Sequence, residues 1–295
     1  MENFIKQKIE AVFTDFQKQA KNDGQLCACK GLTYVGGLSP DYNSPLIQQN
    51  YMLRFFPAYL AEYYIMYKEM LKLRFLPDRL KVLSIGCGCG VDLWGLYFAI
   101  IDLGGVPGDR IEYTGVDLAD WQYRDKLDMT HVRFLTQDIT VWNRLDADDY
   151  NVFVFPKCIG EFPAPVYKSI CNIFDNTHFQ QTHICGLCSL MDKGIDADAD
   201  RFNGIAQIMQ DKHGFHCLDE LNIHWHVEDQ NIGLRTICPS FVYPNTHIER
   251  VKTLLNQCPN YVQHGEACKD DCIILNRSPI LTSKYINYKL LRFER

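Results

Sequence analysis

Three glycines at alternate positions are the residues of this sequence whose type and spacing most clearly indicate a chemical role. Gly86, Gly88 and Gly90 follow the apolar segment Val82-Leu-Ser-Ile85 and precede a second apolar segment of helical character. Glycine allows a positive φ and lets a ligand approach the backbone where a Cβ would clash. The amino terminus of a following helix adds N–H groups and the positive end of the helix dipole. The pattern therefore predicts a turn that holds a ligand against main-chain atoms.

Two carboxylates come at the ends of the next two apolar segments. Asp117 ends the first of these segments, and Asp138 follows the second. A carboxylate can accept hydrogen bonds from both hydroxyls of a ribose. A side chain at the position of Asp138 can meet the exocyclic amine of an adenine, with Leu118 and Ile139 flanking the ring. Together with the glycines, these residues predict a site for a nucleoside.

The elements that must position these residues are alternating strands and helices that begin near residue 81. Such alternation predicts an α/β fold with a Rossmann-like, mostly parallel sheet flanked by helices, and a ligand beyond the carboxyl ends of the strands. The pattern leaves two alternatives for the order of the last strands, because residues 223–242 fit either one hairpin or two separate elements. The strand candidates are Lys81–Ile85, Arg110–Val116, Val132–Leu135, Asn151–Phe155, Thr182–Leu190, either Ile223–Val227 or Thr236–Val242, and Tyr285–Phe293.

The residues before the first strand have a helical pattern rich in aromatic side chains. We predict a helical cap over residues 1–77 and the α/β domain over 78–295, with Pro57 starting a new helix or kinking one. The aromatic stretch fits either a helix packed on the sheet or a lid over a bound ligand. For a lid, Tyr51, Arg54 and Tyr59 are the expected ligand contacts.

Composition narrows the class of protein. The chain has 295 residues, a net charge of -6 and a pI of about 5.8, so no overall basic field attracts nucleic acid or anionic membrane. The 13 cysteines are scattered, and no signal peptide opens the chain, which favours reduced thiols in a cytoplasmic protein. No apolar window reaches the roughly 18 residues that span a bilayer. We therefore expect a soluble protein with a small-molecule partner, and nucleic acid is less favoured.

The chain resembles the class I S-adenosylmethionine-dependent methyltransferases. The resemblance rests on Val82-Leu-Ser-Ile-Gly-Cys-Gly-Cys-Gly90, on Gly115-Val-Asp117 and on Gln137-Asp138. It implies a seven-stranded sheet whose last strand is antiparallel. It also implies a cofactor whose methionine part lies on the loop from Gly86 to Gly90, including Cys87, with Asp117 on the ribose and Asp138 on the adenine. S-adenosylhomocysteine would be the product. One departure is Ser84, since the family usually has an acidic residue there.

In this family the end of the fourth strand faces the transferred methyl group. Here that strand, Asn151–Phe155, leads into Pro156, a candidate cofactor contact, and then into the loop with Lys157 and Glu161. The segment lacks the Asn/Asp-Pro-Pro-Tyr/Phe motif, so methylation of adenine or glutamine amino groups is disfavoured. Glu161 and Lys157 are candidate catalytic residues, and solvent-facing loop residues are the equally open alternative.

The sequence thus predicts an S-adenosylmethionine-dependent methyltransferase that acts on an oxygen, nitrogen or sulfur nucleophile of a small molecule. The alternatives are a methyltransferase-like binding or assembly factor without turnover, which could be ribosome-associated, and a nicotinamide-dependent oxidoreductase. The oligomeric state stays open. We expect no metal, although Cys258, Cys268 and Cys272 have a spacing that could suit zinc or an iron–sulfur cluster.

Overall fold

The computed structural model describes the chain in several stretches, and contacts divide it into two compact units. The structure describes residues 1–20, 26–27, 29, 32, 40–125, 129–146, 150–191, 195–222, 225–227, 233–258, 279–281 and 286–295. The first unit comprises Met1–Ala61, Asp120–Tyr123 and Asn231–Ser283, and the second comprises Glu62–Ala119, Arg124–Gln230 and Lys284–Arg295. The two units are therefore interleaved along the sequence. The first unit includes much of the predicted cap, residues 1–77, and adds two later segments.

The second unit is built on one mixed sheet. Its central strands are parallel and almost fully buried, as expected when helices cover both faces of a sheet. The hydrogen-bonded order is β3-β2-β1-β4-β5-β8-β6, and β7 also pairs with β8. The strands are β1 Leu80–Ile85, β2 Ile111–Asp117, β3 Val132–Thr136, β4 Val152–Pro156, β5 His183–Ser189, β6 His216–Cys217, β7 Trp225–Val227 and β8 Ile286–Glu294.

The direction of the last strand identifies the fold class. β8 lies antiparallel to β5, whereas the pairs β1–β2, β1–β4, β2–β3 and β4–β5 are all parallel. The expectation of a Rossmann-like, mostly parallel sheet with an antiparallel last strand is confirmed. This is the sheet that the resemblance to the class I methyltransferases implies.

In the described part of the chain, eight strands occupy seven positions in this sheet, because β6 and β7 share one edge of β8. Cys217 lies opposite Phe293 and Val227 lies opposite Ile286. The segment that links the two short strands is held to β8 by Asp219, which pairs with Arg292 at 2.7 Å. We therefore describe β6 and β7 as one interrupted edge strand.

Helices account for most of the described residues of the first unit and flank the sheet of the second. They are α1 Glu2–Ala20, α2 Pro45–Lys72, α3 Val91–Asp102, α4 Pro107–Arg110, α5 Ala164–Asn176, α6 Ile195–His213, α7 Leu234–Ile237 and α8 Asn245–Asn256, with a 3-10 helix at Ile139–Val141. The secondary structure of α2 runs through Pro57, so this proline does not start a new helix. Within the described residues, no helix is long and apolar enough to cross a membrane.

Candidate nucleoside site and its surroundings

The three alternate glycines form the turn between β1 and α3. Gly86, Gly88 and Gly90 have φ values of 74°, 54° and 77°, all in the left-handed region. The Gly86 N–H donates to the Val116 carbonyl at 2.8 Å, so the turn begins against the end of β2. Gly90 is the N-cap residue of α3. The predicted backbone turn is therefore present.

Two of these glycines, and Gly115 on β2, have no room for a side chain. A Cβ on Gly86 would lie 2.8 Å from the Cys158 Sγ, and a Cβ on Gly90 would lie 2.8 Å from the Phe134 ring. On Gly115 it would lie 2.8 Å from the Cys87 Sγ. The loop thus packs tightly against β2, β3 and the segment after β4.

Asp117 connects the end of β2 to the glycine loop. Its Oδ2 accepts from the Gly88 N–H at 2.8 Å, and its Oδ1 accepts from the Ala119 N–H at 2.9 Å. The side chain is half-buried, and Leu118 next to it is 72% exposed. These two main-chain hydrogen bonds fix the orientation of the carboxylate, which has two acceptor oxygens.

Asp138 lies at the end of the neighbouring strand β3. The Gln137 N–H donates to the Asp117 carbonyl at 2.9 Å, which places the two predicted ligand-binding segments side by side. Asp138 Oδ1 accepts from the N–H and hydroxyl of Thr140 at 2.9 Å and 2.8 Å, and these bonds lower the pKa of Asp138. Ile139 beside it is buried. Asp138 is therefore an exposed, ionised carboxylate at neutral pH.

Ser84 lies within β1, opposite Gly115, and is fully buried. It therefore presents no surface to a ligand. The role that the resemblance gives to an acidic residue at this position is not available to it.

A second acidic residue lies close to the glycine loop. Asp92, in the first turn of α3, is fully buried, and its two carboxylate oxygens accept from the Tyr113 hydroxyl at 3.0 Å and 3.1 Å. Burial raises the pKa of Asp92 to about 6, against the opposing effect of these hydrogen bonds. Because it is buried in the core, we assign Asp92 a structural role, which is to connect the first turn of α3 to Tyr113 on β2.

The raised pKa predicts a pH-dependent stability. The folded protein binds this proton more tightly than the unfolded chain, so the contribution is present at low pH and is lost as the pH rises through about 6. We expect the unfolding free energy of the wild type, relative to Asp92→Asn, to fall by roughly 1.4 kcal/mol between about pH 5 and about pH 7.5. Urea denaturation of both proteins measures this difference, and the comparison cancels other titrating groups. A difference that does not change with pH would contradict the assignment.

At the carboxyl end of β4, Lys157 forms a buried ion pair that the sequence did not reveal. Its Nζ lies 2.9 Å from the Glu62 Oε1 of α2 and donates to the Leu190 carbonyl at 3.2 Å. The Glu62 side chain is 0% exposed and that of Lys157 is 12% exposed. The Ser189 hydroxyl at the end of β5 donates to the same Glu62 oxygen. Lys157 also has a positive φ of 51°, which is unusual for a residue with a side chain.

Three hydrogen bonds, from the side chains of Cys158 and Arg201, hold the segment after Lys157 in place. The Cys158 thiol donates to the Ile85 carbonyl at 3.0 Å, at the end of β1. The Arg201 guanidinium donates to the carbonyls of Ile159 and Phe162, both at 2.7 Å. Glu161 lies between these anchors and is half-buried. Its catalytic role, like that of Lys157, stays a prediction.

The thiols around the loop are shielded from solvent. Cys87 and Cys158 are buried, and burial raises their pKa values well above the ordinary range. Because the thiolate is the reactive form, we expect both to resist alkylation by iodoacetamide in the folded protein. Peptide mapping by mass spectrometry, with urea-unfolded protein as the control, measures this. Rapid labelling of either residue in the folded protein would contradict it.

The three predicted lid residues all lie on α2 within the first unit. The Tyr51 ring packs against Tyr59 at 6.0 Å and against Trp121 at 5.3 Å between centroids. Arg54 lines a cavity of about 40 Å³ together with Asn50 and His247. A cavity of this size holds a few water molecules and no ring. The contact of these residues with an acceptor stays a prediction.

The cysteines do not form a metal site in the part of the chain that the structure describes. No group of three or more His, Cys, Asp or Glu side chains suited to a metal ion occurs there. Cys258 is buried, whereas Cys268 and Cys272 lie outside the described residues. No disulfide joins the described cysteines.

Comparisons with known proteins give structural neighbours only. No protein-family model and no curated protein matches the chain. A plantazolicin methyltransferase, BpumL, solved with S-adenosylhomocysteine, has a TM-score of 0.45 and 14% identity over 98% of this chain and 99% of its own. A methyltransferase from Geobacter sulfurreducens, also with S-adenosylhomocysteine, has a TM-score of 0.40 and 16% identity over 79% and 91%. Phosphoethanolamine N-methyltransferase 2 from Haemonchus contortus, with S-adenosylmethionine, has a TM-score of 0.34 and 13% identity over 77% and 52%.

Proposed function

We propose that the protein is an S-adenosylmethionine-dependent methyltransferase. The observation that carries the proposal is the meeting of three strand ends at one edge of the sheet. Asp117, at the end of β2, accepts from the Gly88 N–H of the turn after β1, and its carbonyl accepts from the Gln137 N–H, next to Asp138 after β3. Gly88 supplies backbone atoms without a side chain, and the two carboxylates supply acceptors for a ribose and an adenine amine. This is the set of groups that a nucleoside cofactor requires.

The residues present fit the cofactor in the following arrangement. The turn from Gly86 to Gly90 would support its methionine part, Asp117 would accept from the ribose hydroxyls, and Asp138 would accept from the adenine amine. Leu118 and Val141 are 72% and 66% exposed, so this edge offers apolar surface to the flat faces of a base. When bound, the cofactor supplies an electrophilic methyl group on a sulfonium.

The protein's own contribution to methyl transfer would be to position the acceptor and remove its proton. Pro156 ends β4 beside the glycine turn, and the following loop carries Lys157 and Glu161. Since the Lys157 ammonium is paired with Glu62, Glu161 is the better candidate to take the acceptor's proton. The acidic net charge and the aromatic side chains of α2 favour a small-molecule acceptor.

The test of this proposal is a transfer assay with tritium-labelled S-adenosylmethionine. The protein is incubated with the small-molecule, nucleic-acid and protein fractions of a cell extract in separate reactions. We expect label in the small-molecule fraction and its loss in the Glu161→Gln variant. Label in the nucleic-acid or protein fraction instead would contradict the proposed acceptor class.

A second candidate is a binding or assembly factor that retains the cofactor without turnover. The buried Ser84 and the ion-paired Lys157 favour it, because neither is available to react with a substrate. It predicts that S-adenosylhomocysteine binds and that no fraction becomes labelled.

A further inference from the structure

Arg124 lies a few residues beyond β2 and contacts the ends of three strands. Its Nε donates to the Gly88 carbonyl at 3.0 Å, its Nη2 to the Ala119 carbonyl at 3.1 Å and its Nη1 to the Thr136 hydroxyl at 3.0 Å. These acceptors belong to the turn after β1, the segment after β2 and the end of β3. Arginine suits this task because its guanidinium presents several donors in one rigid plane.

The two peptide groups that flank the Gly88 Cα are consequently each held by a side chain. Its N–H donates to Asp117 at 2.8 Å, and its carbonyl accepts from Arg124 at 3.0 Å. Gly88 is the middle glycine of the turn and has a φ of 54°. Two side chains of opposite charge therefore fix the two successive peptide groups on either side of the Gly88 Cα.

The Phe134 ring packs against both Arg124 and the glycine turn. The Arg124 guanidinium lies 5.4 Å from the centre of this ring, within the range of a cation–π contact. The ring also fills the space that a Cβ on Gly90 or Gly115 would need, at 2.8 Å and 2.9 Å. Arg124, Phe134 and the turn therefore form one packed assembly.

We propose that Arg124 is a positioning residue of the nucleoside site, which holds the glycine turn and the Asp117 carboxylate in the geometry that the ligand needs. The inference rests on the proposed cofactor. It is distinct from the roles of Asp117 and Asp138, because Arg124 acts through main-chain atoms of the turn. The hydrogen bonds of its guanidinium, rather than its charge alone, carry the effect.

The test is calorimetric titration of S-adenosylhomocysteine into the wild type, Arg124→Ala and Arg124→Lys. We expect affinity to fall about tenfold in Arg124→Ala, which corresponds to the loss of a net hydrogen-bond contribution. Arg124→Lys should remain several-fold weaker than the wild type, since one ammonium cannot serve three acceptors in one plane. Free guanidinium ion at a non-denaturing concentration should partly restore affinity in Arg124→Ala only.

The matched control is Arg110→Ala, which removes a guanidinium bound to the Asp78 carbonyl near the start of β2, away from the carboxyl ends of the strands. It should bind as the wild type does. Wild-type affinity in Arg124→Lys and Arg124→Ala would overturn the inference while leaving the proposed function in place. If Arg124→Ala does not fold, the Arg124→Lys result decides. Failure of the wild type to bind would overturn the proposed function and this inference with it.

Discussion

Replacement of Glu62 with glutamine should lower the free energy of unfolding by about 3 kcal/mol. The carboxylate is 0% exposed, and its Oε1 lies 2.9 Å from the Lys157 Nζ. Removing the negative charge leaves the ammonium in a poorly hydrated position without its counter-charge. The value belongs at the lower end of the range for buried pairs because the Lys157 side chain is 12% exposed.

A double-mutant cycle separates this pair from general damage to the core. Lys157→Met should also destabilise the protein, because it leaves the buried Glu62 charge without a partner. The combination of Glu62→Gln with Lys157→Met should cost less than the sum of the two single changes, since no buried charge remains. Urea denaturation monitored by circular dichroism gives each value.

The control for this cycle is an exposed pair of the same chemistry on the same helix. Glu69 and Lys72 are paired on the surface, with side chains that are 44% and 49% exposed. Glu69→Gln should change stability by less than about 0.5 kcal/mol. Equal effects of the Glu62 and Glu69 changes would contradict the assignment of a buried, structurally important ion pair.

Replacement of Asp117 with alanine should weaken S-adenosylhomocysteine binding by about 1.5–3 kcal/mol, or roughly tenfold to more than a hundredfold. The change removes the acceptor assigned to the ribose. It also leaves the N–H groups of Gly88 and Ala119 without their carboxylate partner. Both losses concern the carboxylate that connects the end of β2 to the glycine turn.

Asp117→Asn and Asp109→Asn complete this experiment. Asp117→Asn keeps one oxygen acceptor and should lose less affinity than Asp117→Ala. Asp109 is an exposed residue of α4, just before the amino end of β2, and its replacement should leave the affinity unchanged. Thermal unfolding of each variant without ligand shows whether the fold is intact. Unchanged affinity in a folded Asp117→Ala would show that the ribose assignment is wrong.

Local sequence patterns were sufficient for the glycine turn and for the central strands. Gly86, Gly88 and Gly90 lie in one short stretch, and the apolar runs around them have the length of buried strands. The positive φ values at all three glycines are conformations that this residue type adopts without steric cost. The placement of Asp117 beside the turn follows because parallel neighbours end at the same edge of a sheet.

The groups that fix the site could not be predicted, because they come from distant parts of the chain without a pattern of their own. Glu62 is one of many polar residues on a helix, and nothing in the sequence links it to Lys157. Arg124 lies in an irregular segment after β2, and its three acceptors include two main-chain carbonyls, which no side-chain motif can indicate. Such partners become visible only in three dimensions.

The last strands of the sheet could be predicted only in part from the sequence. β6 has only two residues, so it carries no alternation that could predict a strand. Of the two alternatives for the following strand, Ile223–Val227 contains β7 at Trp225–Val227, whereas Thr236–Val242 overlaps the short helix α7. The two-unit division also depends on residues 231–283, which precede β8 and belong to the first unit.

The most direct test of the central claim is calorimetric titration of the purified protein with S-adenosylhomocysteine, with NAD as the comparison ligand. The proposed site predicts binding of S-adenosylhomocysteine in the micromolar range and no measurable binding of NAD, because the turn has the spacing G-x-G-x-G rather than G-x-G-x-x-G. Binding of NAD alone would indicate an oxidoreductase. Binding of neither ligand would contradict the assignment of a nucleoside-cofactor site to the glycine turn, Asp117 and Asp138.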